Sequence, residues 1–289
     1  MQLREIKNIF HKELDYSYQK EEVDSFFYLL IEQLLGFERF VLALQPQLTI
    51  TKEQEQPLFE ALNRLRLNQP IQHIIGKAFF MDMEFSVNPD VLIPRPETEE
   101  LIRWILDCQG DSNRDLKILD IGTGSGCIAV SLAKKIPNAT VYALDISEQA
   151  LEIAKQNAVA NDARVTFFCE DVLQLESLGL CFDLIVSNPP YVRESEQKDM
   201  HKNVLEYEPG RALFVSDEDP LKFYRAIIDF SMKNMNDGGS LFFEINQYLG
   251  KETQQLLQDH NFFEIEMRKD MFGNDRMLKG IFKLTTDLK

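Results

Sequence analysis

The sequence has little of what most often announces a function. Its 289 residues include only four cysteines, four histidines and one tryptophan. The cysteines (Cys108, Cys127, Cys169, Cys181) lie far apart with no CxxC, so zinc spacing is absent. A disulfide framework is not expected in a chain this long, and reduced, buried thiols are. His11, His73, His201 and His260 are scattered, and no metal site is assigned. No apolar run reaches the roughly 18 residues that span a bilayer. The first fifteen residues mix both charges around a broken apolar pattern, unlike a signal peptide. No membrane partner is expected, and the cytoplasm is the expected location. Positive charge is also scarce: 31 Lys and Arg against 47 Asp and Glu give −16. Gripping phosphates requires a basic surface, and there is no Lys/Arg block, so direct nucleic-acid binding is not expected.

What is present falls into two grammars. Residues 1–75 read as a small bundle of four or five helices. Val23, Phe26, Phe27, Leu30, Ile31, Leu34 and Leu35 recur at helical spacing, and Gly36 is a natural stop. Leu58, Phe59, Leu62 and Leu65 form a second stripe. Residues 76–97 alternate loosely and then carry Pro89, Pro94 and Pro96, which predicts a hairpin running into an irregular connection. From 98 to 289, β-rich runs alternate with helices: strands at 118–121, 141–144, 165–168 and 182–186, helices at Cys127–Lys135 and 148–161. Such alternation predicts an α/β fold, a Rossmann-like, mostly parallel sheet covered on both faces. Runs at 240–245, 263–268 and 278–284 lack a full helix between the last two, which predicts an antiparallel hairpin at the sheet edge.

The first chemical signal is Asp120-Ile121-Gly122-Thr123-Gly124-Ser125-Gly126, between a strand and a helix. Glycines there let backbone approach a ligand, although a tight turn needs glycine in any case. The next strand ends in Asp145, about 20 residues on, where a carboxylate can accept from ribose hydroxyls. Loop and acid together point to an adenosine-type cofactor. The spacing is GxGxG rather than the dinucleotide GxGxxG, and it resembles the first motif of class I S-adenosylmethionine-dependent methyltransferases. Asp120 then has two readings, a contact near the cationic methionine end or an acid that orients the loop. Asp171 follows the third strand, and in that superfamily this position lies beside the adenine. Many relatives place an aromatic residue next, where this chain has Val172.

The second signal is Asn188-Pro189-Pro190-Tyr191, directly after the fourth strand. The carboxyl ends of parallel strands are where open α/β sheets bind ligands. The Asn188 side-chain oxygen and the Pro189 carbonyl suit the two hydrogens of a planar NH2 group, beside the flat Tyr191 ring. Acceptors so fixed also favour the positive charge that develops on nitrogen. A plain Pro-Pro turn would leave Asn188 and Tyr191 without a role. The tetrad marks amide or exocyclic amine nitrogen as the acceptor, which covers glutamine, adenine N6 and guanine N2. No histidine or carboxylate base adjoins it in sequence.

Segments 72–76, 91–99, 118–129, 182–192, 244–247 and 270–276 together resemble the release factor glutamine methyltransferases (HemK/PrmC family) along nearly the whole chain. The IPRPETE lead-in is the most discriminating, because adenine methyltransferases share NPPY without it. The resemblance implies methylation of the side-chain nitrogen (N5) of the glutamine in the Gly-Gly-Gln motif of bacterial class 1 peptide chain release factors. S-adenosylmethionine would be the donor and S-adenosylhomocysteine the product, and a monomer is expected. Gly122, Thr123, Gly124, Ser125, Gly126, Asp145, Asp171 and Val172, with Asp120 and Asn188, would bind the cofactor. Asn188, Pro189, Pro190 and Tyr191 would hold the glutamine. Arg95, Glu97 and Thr98 either close over that pocket or belong to a rigid connector. Family members commonly read Glu-Ile-Gly where this chain has Glu244-Ile245-Asn246. The amino-terminal bundle would dock the substrate protein or cap the catalytic domain.

Three other functions share some of these features. A DNA or RNA amine methyltransferase would use the same tetrad, against the charge. A nicotinamide oxidoreductase would leave the tetrad idle, and a non-catalytic binding module would have no need of it.

Overall fold

A computed structural model describes residues 1–110 and 114–284; the end of the expected catalytic region, 285–289, lies outside them. Contacts divide the chain into two compact units, Met1–Lys77 with His201–Tyr207, and Ala78–Met200 with Glu208–Lys289.

The first unit holds five helices in succession: α1 (Leu3–Leu14), α2 (Lys20–Leu35), α3 (Val41–Leu44), α4 (Lys52–Arg66) and α5 (Ile71–Ile75). Leu3, Ile6, Phe10 and Leu14 of α1 sit three or four residues apart and are all buried, so they share one face. They meet Val23, Phe27, Leu30 and Ile31 of α2 and Leu58, Ala61, Leu62 and Leu65 of α4 in one core. Phe10 and Phe27 pack edge to face at 5.5 Å. Gly36 ends α2 in the left-handed region at φ +69, which favours glycine there. Thr51 opens α4 with a capping box shared with Gln54.

The second unit begins within β1 (Lys77–Phe80), which Met81 and Asp82 join to β2 (Met83–Ser86). Both turn residues have positive φ, as a two-residue type I′ hairpin requires. Then follow α6 (Pro96–Gln109), β3 (Lys117–Ile121), α7 (Cys127–Lys135), β4 (Thr140–Asp145), α8 (Glu148–Ala160), β5 (Val165–Cys169), β6 (Phe182–Ser187) and β7 (Val192–Arg193). The rest comprises α9 (Lys202–Tyr207), α10 (Gly210–Leu213), β8 (Phe214–Val215), α11 (Lys222–Asn234), β9 (Met235–Glu244), α12 (Gly250–Asp259), β10 (Phe262–Lys269) and β11 (Asp275–Phe282). Helix α9 belongs to the first unit, where the Tyr207 hydroxyl donates to the Leu67 carbonyl at 2.8 Å.

Seven strands form one sheet in the order β10-β11-β9-β6-β3-β4-β5. From β9 to β5 every pairing is parallel. The expected closing hairpin is present, with β11 antiparallel to both β9 and β10. Alternation along each strand divides the core. Ile118, Val141, Ala143, Leu184, Val186 and Phe242 pack with Leu101, Ile102, Trp104 and Ile105 of α6 and with α7. Leu119, Leu144, Ile185, Leu241 and Phe243 pack with Tyr224, Ile227 and Ile228 of α11 and Leu257 of α12. Strands buried on both faces read as continuous apolar runs, which is why the sequence announces them.

The thiols differ from expectation. All four are free, but only Cys127 is buried, while Cys108, Cys169 and Cys181 are exposed. Cys108 lies in the last turn of α6, Cys169 ends the edge strand β5, and Cys181 precedes β6, all at margins of the packed layers. No helix among the described residues is long and apolar enough to cross a membrane.

Candidate active site

The chain runs β3, β4, β5 outward in one direction and then returns to place β6 on the other side of β3. At such a reversal the loops beyond the strand ends diverge and leave a crevice. Register brings Ile121 level with Ser187 and Asp145 level with Cys169, so the loops after all four strands open at one height. A cavity of about 280 Å³ lies there. Of the residues singled out from sequence, Gly122, Gly124, Asp145, Asp171, Val172, Asn188, Pro189 and Pro190 line it.

The remaining loop residues sit beneath it. Gly122, Gly124 and Gly126 all have left-handed φ (+75, +53, +81). Thr123 and Ser125, between them, turn inward and are 4% and 2% exposed. Asp120 is fully buried and accepts from the Thr123 hydroxyl (2.6 Å) and the Ala129 N–H (3.2 Å). Burial pushes its pKa up from 3.8 to about 7 against those two bonds. Its Oδ1 has no partner. The position is that of a loop organiser with one acceptor left over. Gly126 is required by close approach, since a Cβ there would lie 3.0 Å from the Ala154 Cβ. Asn157 of α8 ties the loop to the hairpin, donating to the Ser125 and Ser86 carbonyls and accepting from the Ser86 N–H.

Asp145 accepts from two backbone donors, Gly124 N–H at Oδ2 and Ser147 N–H at Oδ1, each at 2.9 Å. Each oxygen keeps a lone pair for a ligand. Asp171 is fixed likewise by the Leu173 N–H (2.9 Å) and the Gln174 side chain (3.0 Å). Val172 packs against the sheet core and gives the cavity an aliphatic wall. Asp90 and Glu170 add two more acids, against a single cation, Arg211, whose guanidinium donates to the Ser147 hydroxyl at 2.9 Å. Four carboxylates and one guanidinium favour a cationic ligand and oppose a pyrophosphate.

The tetrad is braced from several distant segments. The Ser187 hydroxyl donates to the Ile121 carbonyl at 2.7 Å. Asn188 Nδ2 donates to Thr98 Oγ1 at 3.3 Å, and the Thr98 hydroxyl donates to Glu244 Oε2 at 2.6 Å. Tyr191 donates to Glu244 Oε1 at 2.9 Å and accepts from Arg276 at 3.3 Å. A carboxylate therefore does adjoin the tetrad, which sequence distance concealed. Burial raises the Glu244 pKa, the Thr98 and Tyr191 bonds and Arg276 oppose that, and Glu97 adds to it. Burial first, then Glu244, raises the Tyr191 pKa well above 10.0, so its hydroxyl stays protonated.

Thr98 thus lies behind Asn188, and Glu97 acts on Glu244 through its charge. Arg95 ion-pairs with Glu208, which is 6% exposed and also accepts from the Ile93 N–H at 3.0 Å. That pair ties the wall formed by Val91 and Leu92 to the one formed by Pro209 and Arg211. On the other side of the tetrad, Tyr191 and Val192 line a second cavity with Glu196, Asn246, Tyr248 and Arg276. Asn246 donates to the Tyr191 carbonyl and to Glu196, each at 2.9 Å. Sequence reading assigned no role to Glu244, Asn246, Arg276, Glu208 or Asn157. The only signal for the first three was that they fall in the family-like segments 244–247 and 270–276.

This sheet order with ligand loops at its reversal defines the class I methyltransferase fold. Two solved structures share it, a methyltransferase from Pyrococcus furiosus and the 16S rRNA N2 G1207 methyltransferase from Thermus thermophilus, each with a TM-score of 0.52. The first is 16% identical, covering 81% of this chain and 100% of that one; the second is 18% identical, covering 72% and 50%. Two family descriptions match, Methyltransferase small domain over residues 105–210 and PrmC N-terminal domain over 12–76. The release factor glutamine methyltransferase of Flavobacterium psychrophilum is 48% identical over 98% of this chain and 100% of its own length. That of Bacteroides thetaiotaomicron is 44% identical over 90% and 93%. The chain belongs to the release factor glutamine methyltransferase family.

Proposed function

We propose that the protein methylates the side-chain nitrogen (N5) of the glutamine in the Gly-Gly-Gln motif of class 1 peptide chain release factors, with S-adenosylmethionine as donor. The observation that carries this reading is the tetrad's position. Asn188, Pro189 and Pro190 line the acidic cavity, while Tyr191 lines the second one. Family membership supplies the acceptor, since the relatives at 48% and 44% identity are release factor glutamine methyltransferases.

The cavity fits the cofactor chemically. Asp145 offers two oriented acceptors for ribose hydroxyls, Asp171 and Val172 form the adenine side, and Gly122 and Gly124 admit the ligand against bare backbone. The unpartnered Asp120 Oδ1 leaves one polar atom under the loop. When bound, the cofactor supplies a methyl group on a cationic sulfur that a nitrogen lone pair can attack in line.

An amide nitrogen is a poor nucleophile because its lone pair is delocalised. Positioning must supply much of the rate. Asn188 Oδ1 and the Pro189 carbonyl accept the two amide hydrogens, and Tyr191 bounds the plane of the substrate. Those acceptors favour the charge developing on nitrogen. No histidine lines either cavity, and both Glu244 oxygens are already engaged, which fits loss of the proton to water after methyl transfer.

Residues 1–75 are the proposed docking domain for the release factor, residues 76–97 the connection and 98–289 the catalytic domain. The match of residues 12–76 to the PrmC N-terminal domain supports this division. The net charge of −16 supports a protein substrate over a polyanion.

The test is transfer of labelled methyl to a release factor, to the same factor with its Gly-Gly-Gln glutamine replaced by alanine, and to mixed DNA and RNA. Label on the intact factor alone is expected. Label on nucleic acid alone would refute the acceptor while sparing the tetrad. Asn188→Ala is expected to remove most turnover and leave cofactor affinity nearly unchanged; near-native turnover would refute the substrate clamp.

A further inference from the structure

We propose that Thr98 and Glu244 are positioning residues that fix which way the Asn188 amide faces, so that its oxygen, not its nitrogen, meets the substrate NH2. The proposal deepens the reading above and rests on it for the acceptor. An Asn side chain has two ends of nearly equal shape and opposite hydrogen-bonding character. With Oδ1 toward the substrate it accepts an amide hydrogen. Flipped, it sets donor against donor, and the clamp is lost.

The choice is made on the far side of the amide. Thr98 Oγ1 lies 3.3 Å from Asn188 Nδ2 and 2.6 Å from Glu244 Oε2, and both Thr98 and Glu244 are 2% exposed. A hydroxyl has one proton, and here it goes to the carboxylate, the stronger acceptor. The Thr98 oxygen is left with lone pairs only, so whatever approaches it from Asn188 must donate. That places Nδ2 against Thr98 and turns Oδ1 away from it.

Glu244 is held to this task by its other oxygen, which accepts from the Tyr191 hydroxyl at 2.9 Å. Arg276 donates to that same hydroxyl at 3.3 Å and forms an ion pair with Asp270 at 3.1 Å. Glu244 thus orients two members of the tetrad at once, Tyr191 directly and Asn188 through one intervening hydroxyl.

The test compares the wild type with Thr98→Val, Thr98→Ser, Asn188→Ala and the double variant Thr98→Val/Asn188→Ala. The readouts are kcat and KM for a release factor and calorimetric affinity for S-adenosylhomocysteine. Thr98→Val keeps the shape and removes the hydroxyl, and is expected to lower kcat by about 10- to 100-fold with cofactor affinity unchanged. Thr98→Ser restores turnover to within about threefold of wild type. Adding Thr98→Val to Asn188→Ala produces no further loss, because the relay acts only through Asn188.

Wild-type turnover in Thr98→Val, a Ser variant as defective as the Val variant, or losses that multiply in the double variant would each overturn the proposal. A readout independent of turnover is side-chain NMR of 15N-asparagine-labelled protein. One Asn188 amide proton is expected to be protected from exchange in wild type and to lose that protection in Thr98→Val; no change there also overturns the relay. Failure of the wild type to methylate the release factor, with this protection intact, overturns the function and leaves the relay standing.

Discussion

Asp145→Asn will weaken cofactor binding as much as Asp145→Ala does, although asparagine keeps the shape and one acceptor. The reason lies in the backbone. Gly124 N–H and Ser147 N–H each donate to a different Asp145 oxygen at 2.9 Å. An asparagine has only one oxygen, so in either orientation its NH2 faces one of these donors. The contact that shapes the glycine loop or the one that starts α8 must then break. A hydrogen bond to a charged acceptor contributes about 1.5–3 kcal/mol, and the loss of loop order adds to the deficit. Together these give a loss of roughly 2–4 kcal/mol, or about 30- to 1,000-fold in Kd. Titration calorimetry with S-adenosylhomocysteine measures it, and the thermal midpoint of each variant confirms folding. An Asn variant midway between wild type and Ala would mean that Asp145 acts on the ribose alone and that its backbone bonds are idle. Unchanged affinity in both variants would refute the ribose role itself.

Asp120 releases its proton near pH 7 in the folded protein but at about 3.8 when unfolded, so the native state holds more protons across that window and its stability falls as pH rises through it. Asp120→Asn removes this dependence, and urea denaturation should show the variant gaining roughly 2–3 kcal/mol on wild type between pH 5 and pH 8. Gly126→Ala combines a left-handed φ of +81 with a Cβ 3.0 Å from the Ala154 Cβ, and is expected to cost about 2–4 kcal/mol by chemical denaturation. Arg95→Ala strands the buried Glu208 carboxylate; because the Arg95 side chain is 32% exposed, the cost is about 2–3 kcal/mol, with weaker cofactor binding as the Pro209–Arg211 wall loosens.

The strands of the sheet were legible because both faces are covered, which leaves continuous runs such as Phe182–Ser187. The glycine loop was legible as a string of residues but not in its directions. Gly122 and Gly124 line the cavity, while Thr123 and Ser125, equal members of the motif, are buried beneath it. Three left-handed glycines wind the loop so that successive residues alternate between ligand and core, and composition does not record that. Asp120 illustrates the same limit, since its sequence position fits a ligand contact and a loop organiser equally, and only its bonds to Thr123 and Ala129 display the second. Glu244 was illegible as a partner of the tetrad because 53 residues separate it from Tyr191, and only the parallel pairing of β6 with β9 brings them together.

The way the tetrad is held bears on what those bonds do. Ser187 is tied to β3, Asn188 to Thr98 at the start of α6, and the Tyr191 hydroxyl to Glu244 at the end of β9 and to Arg276 on β11. The Tyr191 carbonyl is tied to Asn246. In stability each such bond replaces one with water, and nets about 1 kcal/mol, or about 1.5–3 kcal/mol where the acceptor is the Glu244 carboxylate. In catalysis the comparison is different. A reacting group misplaced by about 1 Å can lose roughly 100-fold in rate, and a delocalised amide nitrogen depends on that placement. The same contacts therefore matter more to turnover than to folding. Variants of Thr98 and Asn246 should separate the two, losing rate out of proportion to any fall in thermal midpoint.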